Sequence, residues 1–316
     1  MDEFWRGRLT ELHLHLDGSL SPAMARELAR IGGQPLDLAY DELVSRLSVS
    51  EGCRDLNEYL EKFDFPCSLL QTPEQLAASV SMLRQELAEG GVIYAELRFA
   101  PQKHCERGLS QREVVAAAVE GLAGPGVDAR LILCCMRGDD NHEENLETVR
   151  VAAEFLGRGV VAVDLAGAEA LFPTEAFADV FALARELGVP ATIHAGEAVG
   201  PESVRTALAL GATRIGHGVR AAEDPALLAE LAERGVTCEL CPTSNLNTCV
   251  FAAYKDVPLR AFLEAGVPVC ISSDNMAVSR TNAAREMAAM VEAHHLTDDE
   301  VRLLLRNARD AAFPRG

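Results

Sequence analysis

Short, β-rich apolar runs, each followed by a helix-like stretch, make up most of this chain. The first run lies in the opening stretch Glu11 to Leu20, and the others are Val92 to Phe99, Ala129 to Met136, Val160 to Leu165, Ala191 to His194, Thr213 to His217, Thr237 to Leu240 and Val267 to Ser272. Alternating strands and helices predict a parallel sheet, and eight such units favour an α/β fold of the closed (β/α)8 TIM-barrel type. An open dinucleotide-binding or P-loop sheet is disfavoured, because no G-x-G-x-x-G or G-x-x-x-x-G-K-[ST] motif is present.

The segment from Ser21 to Gly90 departs from this rhythm because its pattern predicts helices without intervening strands. Ser21-Pro22 and Thr72-Pro73 are typical of helix starts, and Gly90-Gly91 is typical of a helix end. Four aromatic residues fall within it: Tyr40, Tyr59, Phe63 and Phe65. They indicate either the core of an additional helical layer or a lid over a pocket. No linker or repeat divides the chain, so we predict one domain over residues 1–316 with a lid-like helical insertion at about residues 21–90.

Composition narrows the possible partners. The formal net charge of −19 over 316 residues argues against a surface that binds nucleic acid or an anionic membrane. The sequence contains neither a signal peptide nor an apolar run of membrane-spanning length, which predicts a cytoplasmic protein. The nine cysteines lie mostly in apolar surroundings typical of reduced thiols, and Cys238 and Cys241 form a C-x-x-C in a strand-like rather than a redox context. A small molecule remains as the expected partner, and the oligomeric state is left open.

Polar residues occur where the predicted strands end. In the opening run, a period of two places His13 and His15 on one face of the strand, and Asp17 follows where the strand ends. Working groups of a TIM barrel stand at the carboxyl ends of its strands. His194 and Asp274 occupy that position on later strands. Three imidazoles and a carboxylate at one end of a barrel are suited to one zinc ion per chain, with a coordination position left for water.

Zinc lowers the pKa of a bound water from about 15.7 towards 7, so hydrolysis is the expected chemistry. Glu197, three residues after His194, can act as a general acid if burial raises its pKa, and His217 can orient the attacking group. Standing alone, Glu197 would be interpreted as a carboxylate at a helix N-terminus. The remaining histidines lie in loop-like or charged surroundings and are predicted to be on the surface: His104, His142, His294 and His295.

Seven motifs follow one another in order: His13-Leu14-His15-Leu16-Asp17-Gly18-Ser19, Tyr94-Ala95-Glu96-Leu97-Arg98-Phe99-Ala100-Pro101, Asp164-Leu165-Ala166-Gly167, His194-Ala195-Gly196-Glu197, Arg214-Ile215-Gly216-His217-Gly218, Cys241-Pro242-Thr243-Ser244-Asn245 and Ser272-Ser273-Asp274-Asn275. Over nearly the whole chain they resemble the adenosine deaminase family of metal-dependent hydrolases. The resemblance implies zinc on His13, His15, His194 and Asp274. It also implies a hydrolytic deamination in which Glu197, His217 and Asp274 are the catalytic residues and Glu197 protonates purine N1.

The same resemblance implies the substrate contacts. The backbone N–H of Gly167 would meet purine N3, and Asp17 would bind a ribose hydroxyl. Many family members have a second aspartate where this chain has Asn275, whose amide can still donate to purine N7. Ala168 stands where an aspartate is common in the family.

Asp17 separates the candidate substrates. Adenine-specific relatives usually have a glutamate at this position, and the shorter aspartate leaves room for a sugar. AMP is disfavoured because the sequence shows no Arg/Lys cluster for a phosphate. The expected reaction converts adenosine and 2'-deoxyadenosine to inosine and 2'-deoxyinosine with release of ammonia, in purine salvage. The alternatives are a deaminase of adenine or of a modified adenine nucleoside on the same zinc barrel, and a catalytically idle purine-binding member.

Overall fold

The computed structural model describes residues 4–50 and 52–314, and within them eight parallel strands form a barrel. The strands are β1 (Leu9–His15), β2 (Val92–Phe99), β3 (Asp128–Met136), β4 (Val160–Ala166), β5 (Thr192–Ala195), β6 (Arg214–His217), β7 (Thr237–Leu240) and β8 (Val269–Ile271). The predicted (β/α)8 fold is confirmed. The largest difference concerns β8, which is shorter than the predicted run Val267 to Ser272: its pairing with β7 covers Val269 to Ile271, while Pro268 O and Ser272 N still make single backbone hydrogen bonds to β7.

Two seams close the barrel. Strands β1 to β4 form one four-stranded sheet and β5 to β8 form the other. A bridge between Val163 and Ala191 joins β4 to β5, and a bridge between Leu14 and Asp274 joins β1 to the end of β8. At the second seam, the His15 N–H donates to Asp274 O at 2.8 Å, and the Asp274 N–H donates to His13 O at 2.9 Å. Three of the four predicted metal ligands, His13, His15 and Asp274, are therefore held together by the backbone.

Helices surround the barrel. The predicted helical segment after β1 contains α1 (Pro22–Ile31), α2 (Tyr40–Leu47), α3 (Leu56–Leu60), α4 (Asp64–Ser68) and α5 (Pro73–Glu89). The later helices are α6 (Gln111–Glu120), α7 (His142–Phe155), α8 (Ala178–Glu186), α9 (Pro201–Leu210), α10 (Pro225–Arg234), α11 (Pro242–Asn247), α12 (Leu259–Ala265), α13 (Ala283–His294) and α14 (Asp298–Asp310). As predicted, Ser21 caps α1 and Thr72 caps α5, each accepting a backbone N–H. None of the described helices is long and apolar enough to cross a membrane.

The four aromatic residues of the helical segment have different environments. Tyr59 is buried and Phe63 partly buried, and both line a pocket at the carboxyl end of the barrel. Phe65 packs against the main core, whereas Tyr40 is 62% exposed. Each of the two interpretations therefore applies to part of the group, because only Tyr59 and Phe63 cover the pocket.

Two of the four histidines predicted to lie on the surface are buried. His104 is 0% exposed: it ends a short 3-10 helix, Pro101–His104, which turns the ring inward against Phe99. His294 is buried where Nε2 meets the Tyr254 carbonyl at 3.0 Å. The charged neighbours of these residues in sequence suggested the surface, but the local turn and the helix end direct both rings inward. His142 and His295 are exposed as predicted.

A buried charge group fills the barrel interior beneath the site. Arg98 donates to Asp164 Oδ2 at 2.9 Å and to Glu239 Oε2 at 2.9 Å. Arg214 donates to Glu239 Oε1 at 2.7 Å and to Glu96 Oε2 at 2.6 Å. The two arginines hold the pKa of Glu239 well below its usual value, although burial acts in the opposite direction. Each of the two arginines and three carboxylates in this group thus has a partner of opposite charge within hydrogen-bond distance.

Replacing Arg98 by methionine is expected to lower the free energy of unfolding by about 3–5 kcal/mol, because the buried Asp164 loses its arginine and the buried Glu239 keeps only Arg214. Urea denaturation of the metal-free protein measures the change without a contribution from metal binding. Arg112→Met breaks the solvent-exposed pair with Glu154 and is the matched control, which should leave the midpoint unchanged. Equal effects of the two variants would refute the structural role of the buried group.

Candidate active site

Four potential metal ligands meet at the carboxyl end of the barrel: His13, His15, His194 and Asp274. Asp274 Oδ1 lies 3.3 Å from His13 Nε2 and 3.4 Å from His15 Nε2. His15 Nε2 and His194 Nε2 are 3.2 Å apart. Around a tetrahedral zinc ion with bonds of about 2.0–2.1 Å, neighbouring ligand atoms are about 3.4 Å apart. The structure thus brings the four predicted ligands together at the spacing that such an ion requires.

The contacts that the ligand side chains make with neighbouring carboxylates also favour a metal ion at this position. Glu239 Oε2 lies 2.8 Å from His13 Nδ1, which leaves the lone pair on Nε2, an atom with no hydrogen-bond partner. Asp164 Oδ2 lies 2.8 Å from His194 Nδ1, an ion-pair contact rather than a well-aligned hydrogen bond. Burial lowers the pKa of His15 well below its usual value, so this ring is neutral. Imidazole nitrogens and a carboxylate oxygen that converge on one point in this way fit a divalent cation.

The local backbone makes this convergence possible. Gly216 separates the His13 and His194 rings: a Cβ atom there would lie 3.1 Å from His13 Cε1 and 3.2 Å from His194 Cα. The next residue, His217, has a φ of 58°, and Asp274 has a φ of 60°. Left-handed conformations cost energy in residues other than glycine and occur often at functional sites. Strand-end strain therefore coincides with two of the predicted catalytic residues.

Glu197 and His217 face each other beside the four ligands. Glu197 is 5% exposed, and burial raises its pKa well above the usual value, with the charges of Asp274 and Glu169 adding to the effect. His217 Nε2 lies 3.6 Å from Glu197 Oε2. Burial lowers the pKa of His217 to about 3, and Asn245 Nδ2 lies 3.2 Å from its Nδ1. Burial thus favours the protonated form of Glu197 and the neutral form of His217.

A cavity of about 420 Å³ opens onto these groups. Its wall includes eight of the nine predicted site residues: His15, Asp17, Gly167, His194, Glu197, His217, Asp274 and Asn275. His13, the ninth, is fully buried behind the wall. Cavities of this size accommodate small organic ligands.

Comparison with known proteins agrees with this geometry. A sequence model described as "Adenosine deaminase" matches residues 9–315. The chain belongs to the adenosine deaminase family. It is 49% identical to an adenosine deaminase of Haemophilus ducreyi over 312 residues, covering 96% of this chain and 91% of that protein. It is 42% identical to an adenosine deaminase of Enterococcus faecalis over 307 residues, with 96% and 91% covered.

Among solved structures, the chain is similar to an adenine deaminase of Arthrobacter aurescens. The TM-score is 0.86 at 27% identity, with 97% of this chain and 94% of that chain covered. Relatives of this adenosine deaminase family member therefore include proteins named for a nucleoside and for a free base.

Asn275 and Gly18 shape one part of the pocket wall. Asn275 is buried, and its Oδ1 has no hydrogen-bond partner. A Cβ atom on Gly18 would come within 1.8 Å of this Oδ1, so only glycine fits beside Asn275. The family position that often carries a second aspartate is thus tightly enclosed in this chain. Ala168, the second departure, lies on the same pocket wall.

Sequence reasoning missed Glu169, which holds the loop that carries Glu197. Its carboxylate accepts four backbone N–H groups, at 2.7 Å from Gly196, 3.1 Å from Glu197, 2.7 Å from Ala198 and 3.1 Å from Val199. It also accepts the Ser203 hydroxyl at 2.5 Å. The available signal was a lone acid between two alanines, directly after the Asp-Leu-Ala-Gly motif.

Glu169→Ala is expected to loosen residues 196–199, because four amides lose their common acceptor. Hydrogen–deuterium exchange should show faster exchange in this loop than in the unchanged protein. Glu175→Ala, at an exposed position nearby, provides the control and should leave the loop unchanged. Unaltered exchange in Glu169→Ala would show that the loop is held by other contacts.

Proposed function

We propose that this protein catalyses zinc-dependent hydrolytic deamination of adenosine and 2'-deoxyadenosine, giving inosine or 2'-deoxyinosine and ammonia. The observation that carries the proposal is the buried Glu197, whose raised pKa favours the protonated form, in the same pocket as the four converging ligands. The 49% identity to an adenosine deaminase supports the substrate class. Purine salvage in the cytoplasm is the setting that this activity suggests.

His13, His15, His194 and Asp274 would hold the zinc ion. They fit it by their spacing, by the unpartnered His13 Nε2 and by the nitrogen and oxygen donors they offer. When bound, the ion acts as a Lewis acid that lowers the pKa of water into the neutral range. Glu239 and Asp164 hold two of the rings in the orientation that presents Nε2.

Glu197 would supply the proton. A carboxylic acid with a raised pKa stays protonated at neutral pH and can donate to N1 of the purine ring. Protonation of N1 makes C6 electrophilic, which allows water to add there and ammonia to leave. His217 remains neutral because of its burial, so its Nε2 can orient the attacking water by a hydrogen bond without carrying charge into the site. Asn245 fixes the ring from the other side.

Substrate contacts would come from other residues that line the same pocket. Gly167, with a φ of 108°, lines the pocket where its backbone N–H is proposed to meet purine N3. Asn275 would donate an N–H of its side-chain amide to N7, a hydrogen bond that needs no change in the protonation state of either group. Asp17 would accept a ribose hydroxyl. Its carboxylate is buried and is bonded to the Gly18 N–H at 3.1 Å.

Charges in the pocket support a nucleoside over a nucleotide. Apart from histidines, two cationic residues line the described pocket, Lys103 and Arg137. The guanidinium of Arg137 already donates hydrogen bonds to Phe172 O at 2.7 Å and to His194 O at 2.6 Å. Lys103 stands alone at an exposed position. A single lysine provides no bidentate phosphate site of the kind that AMP would need.

The alternatives differ in substrate or in turnover. A deaminase of adenine or of a modified adenine nucleoside would use the same metal site, as the likeness to the Arthrobacter aurescens adenine deaminase illustrates. A catalytically idle purine-binding protein has no use for a protonated acid beside the ligands, and Glu197 therefore disfavours it.

Glu197→Gln is expected to reduce kcat for adenosine by about 10²–10⁴-fold, because the amide cannot protonate N1. Binding of a purine nucleoside, measured by calorimetry, should persist. Glu186→Gln, on the exposed surface, is the control and should retain full activity. Undiminished turnover in Glu197→Gln would remove this residue from the mechanism.

A substrate panel of adenosine, 2'-deoxyadenosine, adenine and AMP is expected to show the two nucleosides as the best substrates. In Asp17→Ala, kcat/KM for adenosine should fall about 10- to 100-fold through loss of a charged hydrogen bond, while any activity on adenine is unaffected. Spectrophotometric loss of the adenine chromophore reports all four reactions. Faster hydrolysis of adenine than of adenosine by the unaltered protein would contradict the assignment.

A further inference from the structure

We propose that Asp17, Cys67 and His104 form a second site for a divalent metal ion, in the wall of the same pocket. One ligand atom of each residue lies within 4.8 Å of those of the other two. Asp17 and Cys67 line the cavity, while His104 lies buried behind them. The residues come from three separate parts of the chain: the end of β1, the helix α4 and the short helix after β2. The fold, rather than one local turn, creates the cluster.

The spacing of the first two ligands fits tetrahedral coordination. Cys67 Sγ lies 3.6 Å from Asp17 Oδ2. A zinc–sulfur bond of about 2.3 Å and a zinc–oxygen bond of about 2.1 Å, at a tetrahedral angle, separate the two ligand atoms by about 3.6 Å. Without a metal ion, the thiol donates a weak hydrogen bond to the carboxylate at this distance. An ion that displaces the thiol proton would need little movement of either side chain.

His104 provides the independent observation. Its side chain is 0% exposed, yet neither ring nitrogen has a well-aligned hydrogen-bond partner. Burial lowers the pKa of His104 to about 4, although the nearby backbone of Leu70 acts in the opposite direction, so the ring is neutral. Buried polar nitrogens are rarely left unpaired, because they lose water without gaining a partner. A metal ion between Asp17 and Cys67 would give one of these nitrogens a partner.

The chemistry of this second site differs from that of the first. The two ligand sets share no residue, and only the second contains a thiol. A thiolate, an imidazole and a carboxylate together favour zinc or cobalt over magnesium or calcium, which prefer oxygen ligands. Three protein ligands leave a fourth position open to the pocket.

A metal ion here would compete with the nucleoside. Asp17 is the residue proposed to accept a ribose hydroxyl, so a bound ion occupies the same carboxylate. Excess zinc is therefore expected to raise the KM for adenosine and to leave kcat unchanged. This consequence rests on the proposed function, whereas the metal site itself does not.

Titration of the one-zinc protein with cobalt tests the site directly. Binding of one further equivalent should produce the near-ultraviolet absorption that a cobalt–thiolate bond gives and that nitrogen and oxygen ligands do not. Cys67→Ser should abolish this absorption, and His104→Gln should weaken cobalt binding by at least about tenfold. Cys249→Ser, which removes an exposed thiol, is the control and should bind cobalt normally.

Two results would overturn the site: no thiolate absorption in the unaltered protein, or an undiminished band in Cys67→Ser. Cys241 also lies near the first site, within 4.8 Å of His13, His217 and Asp274. A band that disappears only in Cys241→Ser would thus assign the bound ion to that group and refute the proposal.

A kinetic experiment measures the KM for adenosine of the unaltered protein and of Cys67→Ser, each with and without added zinc. The KM for adenosine should rise in the unaltered protein and stay constant in Cys67→Ser. A cobalt site that forms without any rise in KM would refute the competition and leave the site standing. If the protein does not deaminate adenosine at all, the proposed function fails, and the cobalt titration still decides on the second site.

Discussion

The contact between Arg98 and Glu239 is the constraint on which the active site depends. Glu239 accepts from Arg98 and Arg214 on one side and lies against His13 on the other, while Arg98 also neutralises Asp164 behind His194. Two imidazoles are thereby oriented by carboxylates whose charges are already balanced. Removing Arg98 would leave the buried Asp164 without its arginine and Glu239 with Arg214 alone, and both carboxylates lie against metal-facing rings. Stability and ligand geometry therefore rest on the same pair of arginines.

Three buried carboxylates at this end of the barrel, Glu239, Asp274 and Glu197, have different pKa values because their neighbouring side chains differ. Arginines keep Glu239 ionised, the histidine rings around Asp274, His13 above all, keep its pKa low against the effect of burial, and Glu197 has no cation close enough to outweigh burial. Burial alone would raise the pKa of all three. The division into a structural anion, a metal ligand and a proton donor therefore follows from which side chains each strand end brings near.

Sequence reasoning found the barrel and the ligands because both depend on local pattern. A period of two places His13 and His15 together, and the strand-end rule places His194, Glu197 and Asp274 at one mouth. Sequence reasoning did not find Glu169. Its role depends on a loop that begins at Gly196, which is 27 residues further along the chain. The same reasoning assigned His104 to the surface because neighbouring charges outweighed a turn that only the folded chain reveals. Long-range contacts of single residues leave no periodic signal.

The seam between β8 and β1 has a consequence for how the molecule is assembled. Asp274 is joined to His13 and His15 by backbone hydrogen bonds, across more than 250 residues of intervening chain. During synthesis, the first two ligands leave the ribosome long before the last one exists, so no metal site can form until the barrel closes. Pairing at such sequence separation is slow to form. A metal ion bound across this seam would stabilise the closed barrel relative to partly folded forms, which lack the complete set of ligands.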